Sequence, residues 1–501
     1  KALKLNSEDQ KIAKRIIDEI NSRLSYLKDV GLGYLTMERA SNTLSGGESQ
    51  RINLATSIGS SLVGSMYILD EPSIGLHPRD SLRLIEVLKK LRDVGNSVIV
   101  VEHDEEMMKS ADMIIDIGPY AGRHGGEVVF KGNHSELVKA SKSLTAKYLT
   151  GQYKIEVPKV RRKPKDFIII EQAYLHNLQN ITVKIPLNQI CVVTGVSGSG
   201  KSTLIGKILH TFLERFFLTG LVKASHCNDI KMNFDLVSGV EYINQNPIGK
   251  SSRSNPITYT KGYDDIRQLF ASEKHAKAKG FKPGYFSFNV DGGRCEKCQG
   301  EGQLTISMQF MADVHLKCDE CDGKRFKEEV LEVKFKGKNI SQVLEMTVEE
   351  SLDFFNEDNT LCKKIKAKIF ALSEVGLEYV QLGQASNTLS GGEAQRIKLA
   401  SFLSHNKSKQ KKLFIFDEPT TGLHFHDVKK LIKALQDLVE MGHHVVIIEH
   451  HMDIIKSADW IVDLGPEGGD KGGTLVFEGS PESFVKSKVL SPTKDHLKEY
   501  I

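Results

Sequence analysis

The chain of 501 residues lacks the features that mark membrane-spanning, secreted or strongly charged proteins. It has no uninterrupted apolar run of about 18 residues, so no segment is expected to span a membrane. Its first residues follow a charged amphipathic pattern instead of a secretion signal, and the predicted location is therefore cytoplasmic. The net charge is only +4, which excludes a polycation and restricts any nucleic-acid surface to a local patch.

Cysteines are few for the length of the chain, and this argues against a disulfide framework. Seven cysteines without a secretion signal leave their spacing as the informative quantity. Hydrophobic residues make up 40% and charged residues 26% of the chain, close to the average for globular proteins. Length and composition together predict roughly two to four domains.

The sequence does contain an internal repeat. The ten residues NTLSGGESQR from Asn42 recur as NTLSGGEAQR from Asn387, 345 positions later. Further pairs recur at an offset of 347, and they are Asp70-Glu-Pro with Asp417-Glu-Pro, Glu102-His103 with Glu449-His450, and Ala111-Asp112 with Ala458-Asp459. The chain therefore holds two copies of one element.

A glycine-rich phosphate loop, Gly195-Val-Ser-Gly-Ser-Gly-Lys-Ser202, precedes the second copy. It follows an apolar, β-branched run and opens a predicted helix near Lys201, which is the context that a nucleotide-binding loop requires. Backbone amides can face the phosphates, Lys201 can neutralise them, and the Ser202 hydroxyl can bind Mg²⁺. The residues predicted to bind ATP are Gly195, Ser197, Gly198, Gly200, Lys201, Ser202 and Thr203. The same loop of the first copy would have a negative residue number, so it is expected to lie off this chain.

Acidic residues and a histidine follow the predicted strands of the second copy. The run 413–416 is expected to be a strand that presents Asp417 to the Mg²⁺ shell and Glu418 to the attacking water as general base. His450 follows the apolar run 445–448, where an imidazole can contact a γ-phosphate. Its repeat mate His103 favours this role over a structural one, and the neighbouring His451 is the weaker candidate.

Each repeat also contains a Ser-Gly-Gly-Glu signature, Ser45 to Glu48 and Ser390 to Glu393, that fits a capping box at the start of a helix. A purely structural cap is the simpler interpretation. Two glycines behind the cap, however, leave helix amides open to an anion such as a γ-phosphate. This set of motifs resembles that of the ABC-type ATPases, in which each of two domains packed head to tail gives its signature to the other's phosphate loop. The resemblance implies an α/β fold with tandem nucleotide-binding domains.

These motifs predict the domain boundaries and one composite site. Residues 1–150 are interpreted as the C-terminal part of a first nucleotide-binding domain, and residues 151–166 as a basic linker in preference to a nucleic-acid signal. Residues 167–501 are interpreted as a second nucleotide-binding domain with an insertion over about 250–400. The first-copy residues Ser45, Gly46, Gly47 and Glu48 are predicted to close over the second copy's phosphate loop, giving one complete ATP site per chain.

The insertion is predicted because Lys201 and Ser390 are 189 positions apart, far more than in ordinary ABC-type ATPases. Within it, nineteen residues separate two Cys-x-x-Cys knuckles in a module predicted over 286–326. Four thiolates suit a tetrahedral Zn²⁺, and because no position is left open the metal is expected to be structural. A redox-only role is the weaker alternative. The predicted ligands are Cys295, Cys298, Cys318 and Cys321.

The residues around this module resemble the UvrA family, the damage-sensing ATPase subunits of the bacterial nucleotide-excision-repair excinuclease. The stretches that carry the resemblance are Asn246–Lys250, Arg253–Pro256, Thr258–Thr260, Phe286–Asn289, the two cysteine knuckles and Val375–Leu377. The sequence departs from the family pattern at Lys250, where arginine is usual, and at Met311-Ala312, where Leu-Pro is usual. A lysine keeps the charge but loses the bidentate fork of arginine.

The resemblance implies ATP, Mg²⁺ and Zn²⁺ as cofactors and damaged double-stranded DNA as a partner, contacted mainly through its backbone. Lys250 and Arg253 are the first candidates for DNA contact, and Gln245 is a candidate sensor of Mg²⁺ and the attacking water. It further implies homodimerisation, no nuclease activity of the subunit itself, and handover of DNA to UvrB. The UvrB-binding region is expected in an amino-terminal part that is missing here.

The sequence bears on three alternative classes of protein. The zinc knuckles argue against the ATPase subunit of a membrane transporter. Chromosome-maintenance and translation-type ABC ATPases separate their halves with coiled coils or helical linkers, and this sequence has no sustained heptads. A UvrA paralogue that serves self-resistance to DNA-binding drugs stays open.

Overall fold

The computed structural model describes residues 6–41, 44, 46–59, 63–137, 139–140, 142–220, 223–249, 251, 253–308, 313–404 and 410–501. The chain divides into two compact units. The first unit comprises residues 1–117, 128–242 and 410–501, and the second comprises 118–127 and 243–409. None of the described helices is both long enough and apolar enough to cross a membrane.

The described strands are β1 (Met66–Asp70), β2 (Ser97–Val101), β3 (Ile114–Gly118), β4 (Glu127–Gly132), β5 (Phe167–Ala173), β6 (Ile181–Pro186), β7 (Ile190–Gly195), β8 (Asp229–Lys231), β9 (Val240–Ile243), β10 (Gln303–Ile306), β11 (Val314–Lys317), β12 (Leu413–Asp417), β13 (His444–Ile448), β14 (Trp460–Gly465) and β15 (Thr474–Gly479). The described α-helices are α1 (Ser7–Leu27), α2 (Gly46–Gly59), α3 (Pro78–Asp93), α4 (Glu105–Ser110), α5 (His134–Leu137), α6 (Leu144–Leu149), α7 (Thr211–Thr219), α8 (Pro256–Tyr259), α9 (Gly262–Ser272), α10 (Lys274–Ala278), α11 (Glu328–Leu331), α12 (Ile340–Leu344), α13 (Val348–Phe354), α14 (Thr360–Glu374), α15 (Gly391–Leu403), α16 (Phe425–Glu440), α17 (Met452–Ser457), α18 (Pro481–Lys486) and α19 (Pro492–Leu497). Short π-helical segments span Lys28–Leu32 and Thr203–His210.

The second copy is built on a six-stranded sheet in the order β15-β14-β7-β13-β12-β9. Strand β7 lies at its centre and runs parallel to both β13 and β14. The strands β7, β12 and β13 are nearly continuous apolar runs, and they are buried along their length, as expected for parallel strands covered on both faces. A separate antiparallel sheet, β6-β5-β8, belongs to the same unit. The α/β fold class that the motifs predict is confirmed.

The first copy has the equivalents of four of these strands. Strands β1 and β2 pair in parallel in the register that joins β12 to β13 in the second copy, and β3 pairs with β4 as β14 pairs with β15. Among the described residues, no strand pairs with β2 and β3 in the way that β7 pairs with β13 and β14. Alternate side chains of β2 and β3 are exposed, with Ile117 at 67% exposure where the second copy's Leu464 is at 1%.

The second unit is mainly helical, with α9 and α14 packed together and the hairpin β10–β11 extending from the cysteine knuckles. Helix α15, which carries the second signature, begins with a reciprocal capping box. The Ser390 side chain accepts from the Glu393 amide, and the Glu393 carboxylate accepts from the Ser390 amide. The sequence pattern Ser-Gly-Gly-Glu therefore begins a helix here, as predicted.

The basic segment between the two copies is held by specific hydrogen bonds. Arg161 donates to the carbonyl oxygens of Lys456 at 2.7 Å and Ala458 at 2.8 Å, and it also pairs with Glu482. Arg162 pairs with the buried Asp459 at 3.2 Å. Both guanidinium groups bind the segment to the second copy. This use of the two arginines favours a linker over a nucleic-acid signal.

Candidate ATP site and zinc centre

The phosphate loop follows β7 directly. Gly195 has a φ of 130°, and a Cβ at this position would overlap the carbonyl oxygen of Leu464, so the turn requires glycine. Lys201 is buried, and its Nζ donates to the carbonyl oxygens of Gly195 at 3.0 Å and Val196 at 2.9 Å. Burial lowers the pKa of Lys201 to about 8, against the opposing effect of nearby carboxylates such as Glu418. The ammonium group is thus held inside the loop at the start of a helix that Ser202 and Thr203 continue.

Two carboxylates stand at the end of the neighbouring strand β12. Asp417 accepts a hydrogen bond of 2.7 Å from the Tyr242 hydroxyl, which fixes its orientation. Glu418 takes a left-handed backbone conformation with φ of 48°, and its amide donates to the Ile448 carbonyl oxygen. Burial raises the pKa of Glu418 to about 7, and the charges of Asp417 and Glu449 add to that rise. A pKa near neutrality is what a general base needs.

His450 lies beside Glu418, with 3.8 Å between Nε2 and the carboxylate Oε1. Its amide donates to the Glu449 carboxylate at 2.6 Å, and the same carboxylate accepts from the Thr420 amide at 2.9 Å. Burial lowers the pKa of His450 well below its usual value, with Lys201 as the next cause, so the imidazole is neutral.

The first copy reaches this site through two segments. Gly75, in the loop after β1, lies against Glu418, because a Cβ on Gly75 would stand 2.9 Å from Glu418 Oε2. Its carbonyl oxygen accepts from the Ser197 hydroxyl at 3.3 Å. The ring of Tyr34 covers the phosphate loop, since a Cβ on Gly198 would lie 2.7 Å from it. The Tyr34 hydroxyl in turn donates to the signature residue Glu48 at 2.6 Å.

The remaining signature residues are described in part. Helix α2 begins at Gly46, and a Cβ on Gly47 would meet the Ile74 carbonyl oxygen at 2.7 Å, so the glycine allows a close approach to the loop after β1. Ser45 lies outside the described residues. The structure therefore brings Gly47 and Glu48 together with Lys201, Glu418 and His450 in one compact unit, and the assignment of these residues to nucleotide stays a prediction.

Gln245 and Arg253 belong to the second compact unit. Gln245 lies beside the second signature, where a Cβ on Gly391 would be 3.0 Å from its own Cβ. The Arg253 guanidinium is paired with Glu301 at 3.4 Å and is only partly exposed. Lys250, the other candidate for DNA contact, lies outside the described residues.

The four knuckle cysteines form a compact buried cluster. All four sulfurs lie within 4.8 Å of one another, with 4.0 Å between Cys295 and Cys318 and 3.6 Å between Cys298 and Cys321. Zinc–sulfur bonds of about 2.3 Å in a tetrahedron place sulfurs roughly 3.8 Å apart. The Gly302 amide donates to Cys298 Sγ at 3.3 Å, and such a donor stabilises the negative charge of a metal-bound thiolate. The cluster is compatible with Zn²⁺, and no disulfide joins any of the seven cysteines.

Two tyrosines of the ATP site were not found from the sequence. Tyr34 has a repeat mate 345 positions later, Tyr379, whose hydroxyl donates to Glu393 at 2.7 Å just as Tyr34 donates to Glu48. The offset of the signatures was therefore a signal that could have revealed Tyr34. Tyr242 lies 175 positions before Asp417 and has no comparable signal in the sequence.

The chain is similar in sequence to known proteins. No family model matches the chain. The UvrABC system protein A of Clostridium perfringens (strain 13 / Type A) is 54% identical over 507 residues, which cover 100% of this chain and 53% of that protein. The protein of the same name from Staphylococcus aureus (strain MRSA252) is 53% identical over 502 residues, covering 100% of this chain and 52% of that protein. The chain thus spans about half the length of the curated relatives it matches.

Solved structures with a similar fold are also known. The crystal structure of UvrA2 from Deinococcus radiodurans matches with a TM-score of 0.91 and 39% identity, covering 100% of this chain and 60% of that chain. A chain in a model of ribosome-bound archaeal Pelota and ABCE1 shares the fold at a TM-score of 0.52 and 18% identity, covering 92% of this chain and 60% of that chain. The fold is that of an ABC-type ATPase. Within that class, the chain belongs to the UvrA family.

Proposed function

We propose that the chain binds Mg-ATP at the site around Lys201 and hydrolyses it, as part of a UvrA-type damage-recognition ATPase of nucleotide-excision repair. The observation that carries this proposal is the meeting of both repeat copies at one phosphate loop. Gly75 and Tyr34 of the first copy lie against Glu418 and Gly198 of the second. An ABC-type site needs contributions from both copies, and this unit supplies them.

The roles follow from the position and charge of each side chain. Lys201 and the loop amides neutralise the phosphates, while Ser202 and Asp417 hold the Mg²⁺ that screens their charge. Glu418, with its pKa raised to about 7, accepts the proton of the attacking water. The neutral His450 keeps a donor for the γ-phosphate, and Gln245 orients the water. Tyr242 keeps the Asp417 carboxylate in place.

The stoichiometry and the turnover of the chain test this assignment together. Equilibrium dialysis should give one ATP per chain, because only one phosphate loop is present in this sequence. Hydrolysis should be stimulated by damaged duplex more than by undamaged duplex, and Lys201→Ala should abolish it. Two ATP molecules per chain, or a Lys201→Ala variant with parental turnover, would contradict the proposal.

Zinc is proposed to fold the knuckle module without taking part in catalysis. Cys298→Ser should lose the metal, whereas Cys362→Ser, at a buried cysteine of helix α14 in the same unit, should keep it. Metal content by atomic absorption and the number of thiols that react with Ellman's reagent are the measurements. Equal zinc content in the two variants would show that the four knuckle cysteines are not the zinc ligands.

DNA binding is proposed through the second unit, with Lys250 and Arg253 as phosphate contacts. Because Arg253 is paired with Glu301, DNA and this carboxylate compete for one guanidinium. Arg253→Glu should weaken duplex binding regardless of sequence and flatten its salt dependence. Glu301→Gln should strengthen binding roughly two- to fivefold, a change on the scale of one partly exposed ion pair. Unchanged affinity in both variants would refute the contact.

The proposed partners and the alternatives follow the named relatives. "UvrABC system protein A" names a component of a multi-protein system, so we propose handover of DNA to UvrB, homodimerisation and no nuclease activity in this chain. The cytoplasm is the proposed location. A drug-resistance paralogue is the weaker candidate, because identity is 53–54% to the curated UvrABC proteins and 39% to UvrA2.

A further inference from the structure

A buried chain of hydrogen bonds joins the two copies beside the ATP site. His77, which precedes helix α3 of the first copy, places its Nε2 at 3.1 Å from the hydroxyl of Thr493 in helix α19. The Thr493 hydroxyl lies 3.1 Å from Asp463 Oδ1, and Ser491 donates to the other carboxylate oxygen at 2.6 Å. All four side chains are almost completely buried.

The direction of this chain is fixed by its surroundings. His77 Nδ1 accepts from the Arg79 amide at 3.2 Å, so the ring proton must be on Nε2. Burial lowers the pKa of His77 well below its usual value, which keeps the imidazole neutral and limits it to one proton. Nε2 therefore donates to the Thr493 oxygen, and the Thr493 hydroxyl donates to the Asp463 carboxylate. Only this arrangement gives each of these donors and acceptors a hydrogen-bond partner.

The same chain occurs a second time with the copies exchanged. His424 Nε2 lies 3.2 Å from the Thr145 hydroxyl, which donates to Asp116 at 3.1 Å, while Ser143 donates to Asp116 at 2.5 Å. His424 Nδ1 accepts from the His426 amide at 3.2 Å, as His77 does from Arg79. A contact that each copy makes to the other in the same way is a property of the repeat and not an accident of local packing.

His77 ends the loop that touches the ATP site. That loop begins at Glu71 and contains Gly75, which lies against Glu418 and accepts from Ser197. The His77 ring also packs edge-on against His450, with 6.0 Å between the ring centroids. Any movement at His77 is therefore passed to the phosphate loop, the general base and the γ-phosphate contact together.

We propose that His77 and Thr493 form a cross-copy positioning pair for ATP hydrolysis at the Lys201 site. Their hydrogen bond holds the loop 71–77 of the first copy in register with Glu418 and Ser197 of the second. Neither residue is assigned a contact with ATP, so their removal affects the chemical step and leaves nucleotide binding nearly unchanged. This inference rests on the proposed ATPase function.

The test compares variants that remove and restore the hydroxyl. Thr493→Val should lower kcat for ATP roughly three- to tenfold, the scale of one lost buried hydrogen bond, while KM stays within about twofold. Thr493→Ser, which keeps the hydroxyl, should restore kcat. Thr260→Val is the matched control, because Thr260 is a buried threonine of the second unit whose hydroxyl, among the described residues, donates to backbone carbonyl oxygens of its own helical turn.

A double-mutant cycle separates positioning from general destabilisation. His77→Asn retains an acceptor for the Arg79 amide but cannot reach Thr493, so it should lower kcat as Thr493→Val does. The double variant should be no slower than either single variant. Additive losses, an equal loss in Thr493→Ser, or a parental kcat in Thr493→Val would each overturn the proposal.

Hydrogen exchange gives a measurement that does not depend on turnover. Amides of residues 71–80 should exchange faster in Thr493→Val than in the parent and in Thr493→Ser, without nucleotide. If the parent itself does not hydrolyse ATP, the proposed function fails, whereas the cross-copy contact is still decided by this measurement. Unchanged exchange over 71–80 would show that the pair holds nothing in place.

Discussion

The two repeat copies carry nearly the same motifs but differ in what surrounds them. Glu71 and Glu418 have the same left-handed backbone, and each lies against a glycine of the other copy. His103 and His450 each stand 3.8 Å from the neighbouring glutamate. Around Glu418, however, stand a phosphate loop, a buried lysine and a six-stranded sheet, while β1 and β2 form a sheet of two strands. Identical motifs are thus necessary for the site, and the surrounding strands decide whether it is complete.

Burial shows the same contrast in electrostatic terms. The His450 side chain is 7% exposed and that of its mate His103 is 38% exposed. Burial raises the pKa of both glutamates, that of Glu418 to about 7. The two glutamate side chains are exposed to a similar degree, so the difference in burial between the copies lies at the histidines. Three matched pairs of substitutions test this difference between the two copies.

The largest difference is expected between the two glutamates. Glu418→Gln keeps the shape of the side chain and removes the base, so ATP turnover should fall by about a hundredfold or more. Glu71→Gln is the same change in the first copy and should leave turnover within about threefold, because no phosphate loop of that copy lies on this chain. Steady-state phosphate release measures both. Equal losses would mean that the two copies share one catalytic role.

An intermediate difference is expected in stability. Leu464→Ala removes a fully buried side chain of β14 from the hydrophobic core and should cost about 2–5 kcal/mol of unfolding free energy. Ile117→Ala, at the equivalent and largely exposed position of β3, should change it by less than about 0.5 kcal/mol. Thermal unfolding followed by circular dichroism compares the two. A similar drop in Tm for Ile117→Ala would show that β3 is covered in solution.

The smallest difference is expected between the two tyrosines that bind the signature glutamates. Tyr34→Phe loses the hydrogen bond to Glu48 next to the phosphate loop and should reduce turnover roughly two- to fivefold. Tyr379→Phe loses the equivalent bond to Glu393 in the second unit and should leave turnover unchanged. Comparison of kcat and KM for the two variants tests whether the signature of the first copy alone serves the Lys201 site.

The sequence predicted local elements well and distant contacts poorly. The apolar runs before Asp417 and His450 became β12 and β13, because a buried parallel strand needs continuous apolar residues. The alternation from Thr305 to Phe310 also predicts a strand, but β10 spans Gln303–Ile306, and residues 309–312 lie outside the described part of the chain. The pattern of apolar residues along the chain reflects the burial of each single strand or helix, so it predicts these local elements.

Contacts that span hundreds of residues left no periodic signal. The bond between His77 and Thr493 joins positions 416 apart, and the ring of Tyr34 reaches a glycine 164 positions later. The sequence shows that such residues are polar or aromatic and can show that they recur, but only the packing of the two copies brings them together. The predicted roles of Gln245 and Arg253 stay predictions, as do those of Ser45 and Lys250.

The open edges of β2 and β3 have a consequence for the behaviour of the chain in solution. Among the described residues, each of these strands pairs on one side only, and Ile99, Val101, Ile115 and Ile117 are exposed along them. Unpaired main-chain donors and acceptors beside apolar side chains are a template for edge-to-edge association. Self-association of this chain therefore has two possible sources with different signatures. The proposed homodimer would saturate at two chains, whereas strand addition at these edges would continue to grow with concentration.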